Sequence, residues 1–406
     1  MKSGRLVSMA LFALWCGAAS CTGGDADPSP SGQGGASSAG QGGASGGASG
    51  GASGGAPTGA GGAATSGAGG SVCIPPTGGV TANGETRFHY GINYAWANFG
   101  SDFGNTTRGV AAMRNQRLTS LMDMKSHGVD VVRWWVFPNF QAGGVTFDAA
   151  SGAPTGLGGS TVADIAAALD IAAQAGVRIE FTFFSFDTFK INVNDTTVNP
   201  HNLAPLISVP ATRAAVIANI IVAFARQVNL SANKDRVSSW DIINEPEWAI
   251  AATPTDGVDP AFTPQTTVTT VPYAVMRAFV SAVADALHAN SNRPVTVGGA
   301  AIKWAKAWAG IGDFYTFHMY DWVNQSYPYT RTLASYGVTD KPVVMGEFPI
   351  QGLPGIPYLT MVDTFYRLGY AGVLPWAFND RQLFPWAGNN ANVQAFATQH
   401  PCMFTP

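Results

Sequence analysis

A closed barrel of eight parallel strands wrapped by helices, (β/α)8, is the fold this sequence predicts, behind an export signal and a long spacer. Three observations predict it. Short β-rich runs alternate with longer helical periodicities over the last 335 or so residues, about the length of one such barrel with extended loops. Glycine followed by valine, at 128–129 and again at 176–177, ends a helix and opens the next strand. Two of the apolar runs end on a carboxylate, Glu245 and Glu347, and in such a barrel the C-terminal strand ends converge on one mouth.

Residues 1–20 read as a signal peptide. Lys2 and Arg5 precede the apolar run Leu6–Trp15, far shorter than the roughly 20 residues a spanning helix needs. Ala18-Ala19-Ser20 stands directly before Cys21, the arrangement of a bacterial lipoprotein cleavage site, so Cys21 is the candidate lipidation site. The chain is expected to be exported, as a cell-surface lipoprotein or as a secreted protein. Residues 22–71 are almost wholly Gly, Ala, Ser, Gln, Thr and Pro, with Asp25 and Asp27 their only charges, and cannot bury a core. As a flexible coil of about 50 residues this linker spans on the order of 35 to 45 Å, the reach of a tether.

Residues 72–406 are expected to form the barrel. Its strands are predicted at Tyr90–Tyr94, Val129–Val136, Val177–Phe184, Ser238–Ile243, Pro294–Val297, Asp313–Tyr320, Pro342–Glu347 and Gly369–Trp376. Helices are predicted near Ala111–Ser126, Val162–Ala175, Ala211–Gln227 and Tyr273–Asn290, with shorter ones near Ile302–Ala307, Thr330–Tyr336 and Pro357–Arg367. Phe140–Gly159, Thr253–Thr270 and Ile350–Pro357 read as Pro/Gly-rich loops that shape the mouth. An open doubly wound sheet is disfavoured, because no Gly-rich phosphate loop follows any strand. Cys73 and Cys402 stand at the two ends of the domain, where closure brings first and last elements together, and are expected to form a disulfide after export.

Paired carboxylates across a cleft suit cleavage of a glycosidic bond. One holds a proton for the leaving oxygen while the other, ionised, attacks the sugar carbon or activates water. A formal net charge of −3 with 12% charged residues argues against a nucleic-acid or polybasic membrane surface, so the partner is expected to be neutral and any membrane contact to come from the lipid. A monomer without cofactor or metal is expected. Of the six histidines only His318 sits at a strand end, which does not supply a zinc cluster. The Gly-x-Ser-x-Gly pattern of serine hydrolases occurs at 43–47, inside the spacer.

The motifs taken together resemble glycoside hydrolase family 5, retaining β-glycosidases on (β/α)8 barrels that include cellulases and endo-β-mannanases. Asn244-Glu245 before Pro246 matches that family's strand four, and Glu347 its strand seven. The resemblance implies that Glu245 is the acid and base, Glu347 the nucleophile, and Asn244 a partner of the sugar's 2-hydroxyl. Arg133 matches an arginine near the end of strand two, His318-Met319-Tyr320 the His-x-Tyr of strand six, and Trp376 the tryptophan that ends strand eight under the sugar. Asp313–Tyr320 and Lys341–Glu347 look most like the mannanase branch, which implies β-1,4-mannan as substrate, with β-1,4-glucan as the alternative. Where many members carry a strand-three histidine this chain reads Phe183-Phe-Ser-Phe-Asp187, so Ser185 or Asp187 is expected to fill that space. Arg133, with Tyr320, is expected to favour ionised Glu347, and an apolar wall to keep Glu245 protonated.

Trp96, Trp134, Trp135, Trp248, Trp322 and Trp386 lie near predicted strand ends, where each flat ring either covers the apolar face of a sugar or packs in the core. Trp248 and Trp322 are the stronger candidates, since they follow Glu245 and Tyr320 into the loops of the active end. From another class, a glycan-binding surface lipoprotein on the same barrel is the competing expectation, because fold alone does not imply turnover.

Overall fold

The computed structural model describes residues 75–192, 201–251 and 261–404. The expectations for the signal peptide, Cys21, the linker and Cys73 lie outside the described residues, as does most of the first half of the Thr253–Thr270 loop. Eight strands close into a barrel: β1 His89–Asn93, β2 Val131–Trp135, β3 Arg178–Ser185, β4 Val237–Asn244, β5 Val295–Gly299, β6 Tyr315–His318, β7 Val343–Glu347 and β8 Gly372–Val373. Every neighbouring pair is parallel, and β8 returns to β1. Each expected run overlaps its strand; the first, third, fourth and fifth strands extend one or two residues past the expected bounds, and the eighth shrinks to two residues.

The outer layer contains α1 Arg114–Ser126, α2 Thr161–Ala175, α3 Pro210–Leu230, α4 Tyr273–Asn290, α5 Tyr358–Arg367 and α6 Asn390–Gln399. By length and composition α3 would cross a membrane, but its apolar side is barrel wall. The Phe224 ring meets Phe181 at 5.2 Å and Phe183 at 5.3 Å on the outer face of β3. Helix α6 escaped the sequence reading because only Val393, Phe396 and Ala397 are buried, too weak a stripe to set a period. The expected helices at 302–307 and 330–336 are 3-10 turns, Ile302–Trp308 and Leu333–Tyr336. The expected loop at 140–159 contains an antiparallel pair, Val145–Phe147 with Pro154–Leu157, and Gly352–Leu353 pairs with Ile356–Pro357. Strands this short carry no readable alternation.

Period-two alternation sorts β2 between two environments. Trp134 belongs to the outer core, whereas Val131 and Arg133 face the barrel axis. A small apolar layer of Val80, Val131, Phe314, Val344, Ala371 and Leu374 forms the floor. Val80 comes from a hairpin, Val80–Ala82 with Glu85–Arg87, that precedes β1. Above this floor the interior turns polar. Arg133, Glu180, Thr182, Asp241 and Thr296 are all fully buried there, and hydrogen bonds replace the water they lost except at Glu180 Oε1, which faces Arg133 Nε at 3.6 Å.

Candidate active site

Arg133 organises the mouth from below. Its Nη1 donates to Glu347 Oε1 at 2.8 Å and to Asn93 Oδ1 at 2.9 Å, and its Nη2 donates to Asn244 Oδ1 at 2.8 Å. The other edge of the guanidinium forks onto Asp241 Oδ2, from Nε at 3.0 Å and from Nη2 at 2.6 Å. Asp241 is held in turn by Thr182 Oγ1 at 3.1 Å and by the Gly298 amide at 2.8 Å. Glycine is required at 298, because a Cβ there would stand 2.7 Å from Arg133 Nη2 and 2.8 Å from Asp241 Oδ2. One planar cation thereby ties strands β1, β2, β4 and β7 together, which suits arginine and not lysine.

Glu347 ends β7 with its side chain almost wholly buried, and besides Arg133 it accepts from the Tyr320 hydroxyl at 3.1 Å. Glu245 follows β4 in the left-handed region, φ 50 and ψ 51, where its amide donates to Gly298 O at 2.6 Å. The register of β4 on β5 shifts between Asp241 and Asn244, just before Glu245. Glu245 Oε2 accepts from Trp248 Nε1 at 2.8 Å, and Oε1 lies 2.7 Å from His318 Nδ1. The same imidazole nitrogen is 3.4 Å from Glu347 Oε2. His318 therefore sits between the two carboxylates. A carboxylate oxygen of Glu245, one of Glu347 and a ring nitrogen of His318 all lie within 4.8 Å of one another.

Carboxyl groups roughly 5 to 5.5 Å apart leave room for direct attack on a sugar carbon, whereas inversion needs roughly 6.5 to 9.5 Å to admit a water. An approach of single carboxylate oxygens to within 4.8 Å fits the closer, retaining arrangement. The same three groups are a possible cation donor set, but each is already engaged. Arg133 and Tyr320 occupy Glu347, and Trp248 and His318 occupy Glu245, so an incoming ion would displace a buried guanidinium or its neighbours.

Burial dominates the proton affinities. It pushes Glu245 up to about 7, against the lowering effects of the Trp248 hydrogen bond and the Arg133 charge. Glu347 is also raised by burial, with His318 and Arg133 pulling it down. Arg133 does favour the ionised form of Glu347, as expected, but desolvation in the barrel throat outweighs it and the net direction is upward. Burial lowers His318 to about 4, so the ring is neutral at ordinary pH and serves as a hydrogen-bonding group.

The aromatic candidates divide. Trp376 packs edge-on to Trp96 at 5.6 Å and tilted against Trp135 at 5.7 Å, and its amide donates to the carbonyl of Phe348, the residue after Glu347. Trp248 and Trp322 meet at 5.7 Å beside Glu245, and the Trp248 N–H holds the Glu245 carboxyl. Trp134 and Trp386 take the packing alternative that the sequence left open. Trp134 is fully buried outside the barrel and donates to Asp102 at 2.9 Å, while Trp386 donates to Asp123 on α1 at 2.8 Å. At the end of β3, Ser185 Oγ donates to Asp187 Oδ2 at 2.7 Å and Asp187 pairs with Lys190 at 2.6 Å. Asp187 acts on Glu245 through its charge, raising it further. Sequence reasoning missed Asn93, Asp241 and Glu180; the signal available was a polar residue interrupting an apolar run. It also missed Glu247, fully buried beside Glu245 and bound by Trp308 Nε1 at 2.6 Å and the Ala300 amide at 3.0 Å.

No family model matches the chain. A mannan endo-1,4-beta-mannosidase of Mytilus edulis is 24% identical over 340 residues, covering 73% of this chain and 85% of that protein. This chain resembles the barrel mannanases. Among solved structures, a beta-1,4-D-mannanase from Cryptopygus antarcticus superposes with a TM-score of 0.67 at 22% identity, covering 80% of this chain and 93% of that one. An endo-1,4-beta-mannanase from Eisenia fetida gives 0.64 at 24% identity, with 80% and 94% covered. At these identities the structural likeness establishes the shared (β/α)8 fold, in agreement with the closed eight-stranded barrel.

Proposed function

We propose that this protein is a retaining glycoside hydrolase that cleaves β-1,4-mannan within the chain. The observation that carries the reaction class is the approach of Glu245 and Glu347 to within 4.8 Å at the barrel mouth, each in its own hydrogen-bonding environment. The mannan assignment is supported by the relatives' activity and by likeness over most of the chain.

In the first step Glu347 attacks the anomeric carbon and forms a glycosyl ester, while protonated Glu245 gives its proton to the departing oxygen. The ester removes the negative charge of Glu347, and Glu245 is left as a carboxylate supported by the N–H of Trp248. It then takes a proton from water as that water attacks the same carbon, releasing the sugar with its β configuration retained. Arg133 and Tyr320 orient Glu347 throughout. Arg133 also occupies the oxygen of Asn244, which leaves the amide N–H groups to donate to the sugar's 2-hydroxyl. Trp376 provides a ring for the sugar held by Glu347.

We infer further that the protein is exported and held at a bacterial surface through lipidated Cys21, as a monomer, with the barrel ends joined by Cys73 and Cys402. Lys2, Arg5, the short apolar run and Ala18-Ala19-Ser20-Cys21 support the first reading, and the bonded state of Cys402 supports the disulfide.

The test is hydrolysis of β-mannan, β-glucan and xylan, with the first anomer formed followed by NMR. β-Mannan cleavage giving β-products first is expected; α-products first, or no cleavage of any polymer by folded protein, overturns the reading. Because Glu245 must enter protonated, kcat/KM is expected to fall as pH rises through about 7. Because Glu347 must enter ionised, it is expected to fall again at a pH above the ordinary carboxylate range as pH drops. Both limbs report the coupled pair.

A further inference from the structure

The half-buried Lys303 has no part in the chemistry above. It lies in the 3-10 turn Ile302–Trp308 that follows β5, with its Nζ 3.9 Å from the centroid of Trp304 and 4.9 Å from that of Trp322. Burial lowers its proton affinity, with Glu247 opposing. No ion pair joins it to a carboxylate among the described residues, and its ammonium rests on the two ring faces. An ammonium kept from water on aromatic faces retains N–H donors that the rings do not saturate.

The location is specific. Trp248 lies 5.7 Å from both Trp304 and Trp322 and donates its N–H to Glu245. The patch therefore runs without a break from the proton donor to Lys303. Double displacement divides the cleft: the sugar that forms the ester lies against Glu347, and the sugar that departs lies against the acid. The patch at Glu245 is on the departing side. Trp304 is fully buried and supports the lysine from below, whereas Trp248 and Trp322 are partly exposed.

We propose that Lys303, with Trp248 and Trp322, forms a binding site for the departing neutral hexose, in which the rings cover its C–H face and the ammonium donates to its hydroxyl oxygens. Lys303 is a specificity-determining residue: it acts on whatever leaves and not on the sugar that is retained. This inference rests on the retaining glycosidase reading.

The experiment compares two substrates that differ in what departs, a β-1,4-mannopentaose whose leaving group is a sugar and an aryl β-mannobioside whose leaving group is a phenol. Lys303→Met keeps the aliphatic stem over Trp304 and removes the charge. It is expected to lower kcat/KM for the pentasaccharide about tenfold more than for the aryl glycoside, mainly through KM, the scale of a hydrogen bond to a charged donor. Lys303→Arg is expected to restore most of the difference. A ratio between the substrates unchanged within about twofold, or a loss equal on both, overturns the proposal, the second outcome marking Lys303 as a packing residue. A wild-type enzyme that turns over neither substrate overturns the glycosidase reading itself and this inference with it.

Discussion

The aromatic cluster beside Glu347 and the one beside Glu245 both bring indole rings to the barrel mouth, but they are held differently. Trp96, Trp135 and Trp376 are anchored through the backbone of neighbouring strand ends. The Trp376 amide donates to Phe348 O at 2.8 Å, Trp376 O accepts from Ile350 N at 2.9 Å, and the Trp135 amide donates to Ala95 O at 3.0 Å. The carbonyl of Trp96 is held by Asn379. Trp248, Trp304 and Trp322 instead come one each from the short turns after β4, β5 and β6, and they carry the cation of Lys303. A site that must match a transition state gains from groups fixed by backbone hydrogen bonds at the strand ends. A site that accepts a departing sugar tolerates loop-borne groups, and there the orienting charge comes from a side chain.

The comparison breaks most readily at the carboxylates. Glu347→Gln is expected to lower turnover at least about 10⁴-fold on every substrate, since no ester forms without it. Glu245→Ala is expected to cost about 10² to 10⁴-fold on mannan but much less on an aryl glycoside whose phenol leaves unaided. Azide added to the Glu245→Ala variant is expected to give a β-glycosyl azide, identified by NMR. An α-azide from that variant would mean that the two roles had been assigned to the wrong sides.

Arg133 comes next, because it supports the Glu347 side and leaves the loop-borne cluster untouched. Arg133→Met strands Asp241, Glu180 and Glu347 in a buried site, and a destabilisation of about 3 to 5 kcal/mol is expected by urea unfolding, with activity lost. Unchanged stability would mean that the carboxylates take up protons at little cost.

The smallest effect sharpens the contrast between the clusters. Trp376→Ala is expected to lower kcat/KM for oligosaccharide and aryl glycoside alike, by about tenfold, while Trp322→Ala is expected to fall selectively on the oligosaccharide. Identical patterns for the two variants would dissolve the division into a retained side and a departing side.

Much of this site was legible in the chain. Glu245 and Glu347 stood out because each terminates an apolar run, and strand ends in a parallel barrel point one way. Asn93 and Asp241 did not, because a polar residue within a strand gains meaning only when its partner is known. Arg133 supplies that partner from 40 and 108 positions away. Adjacent tryptophans 134 and 135 had to face opposite ways, but alternation does not say which faces the axis. Lys303 on a short turn reads like any solvated surface lysine until Trp322, from the next loop, is placed beside it.

By itself the sequence determined the barrel, the order of its strands and the residues that end them, since these follow from local periodicity and from the one-way geometry of parallel strands. Only the tertiary structure decided how the carboxylates differ. Their proton affinities, the spacing that selects retention and the side on which the lysine sits depend on burial and on contacts such as Arg133 with Glu347, 214 positions apart. Desolvation and Coulomb energies belong to the space between elements, and no window of sequence contains that space.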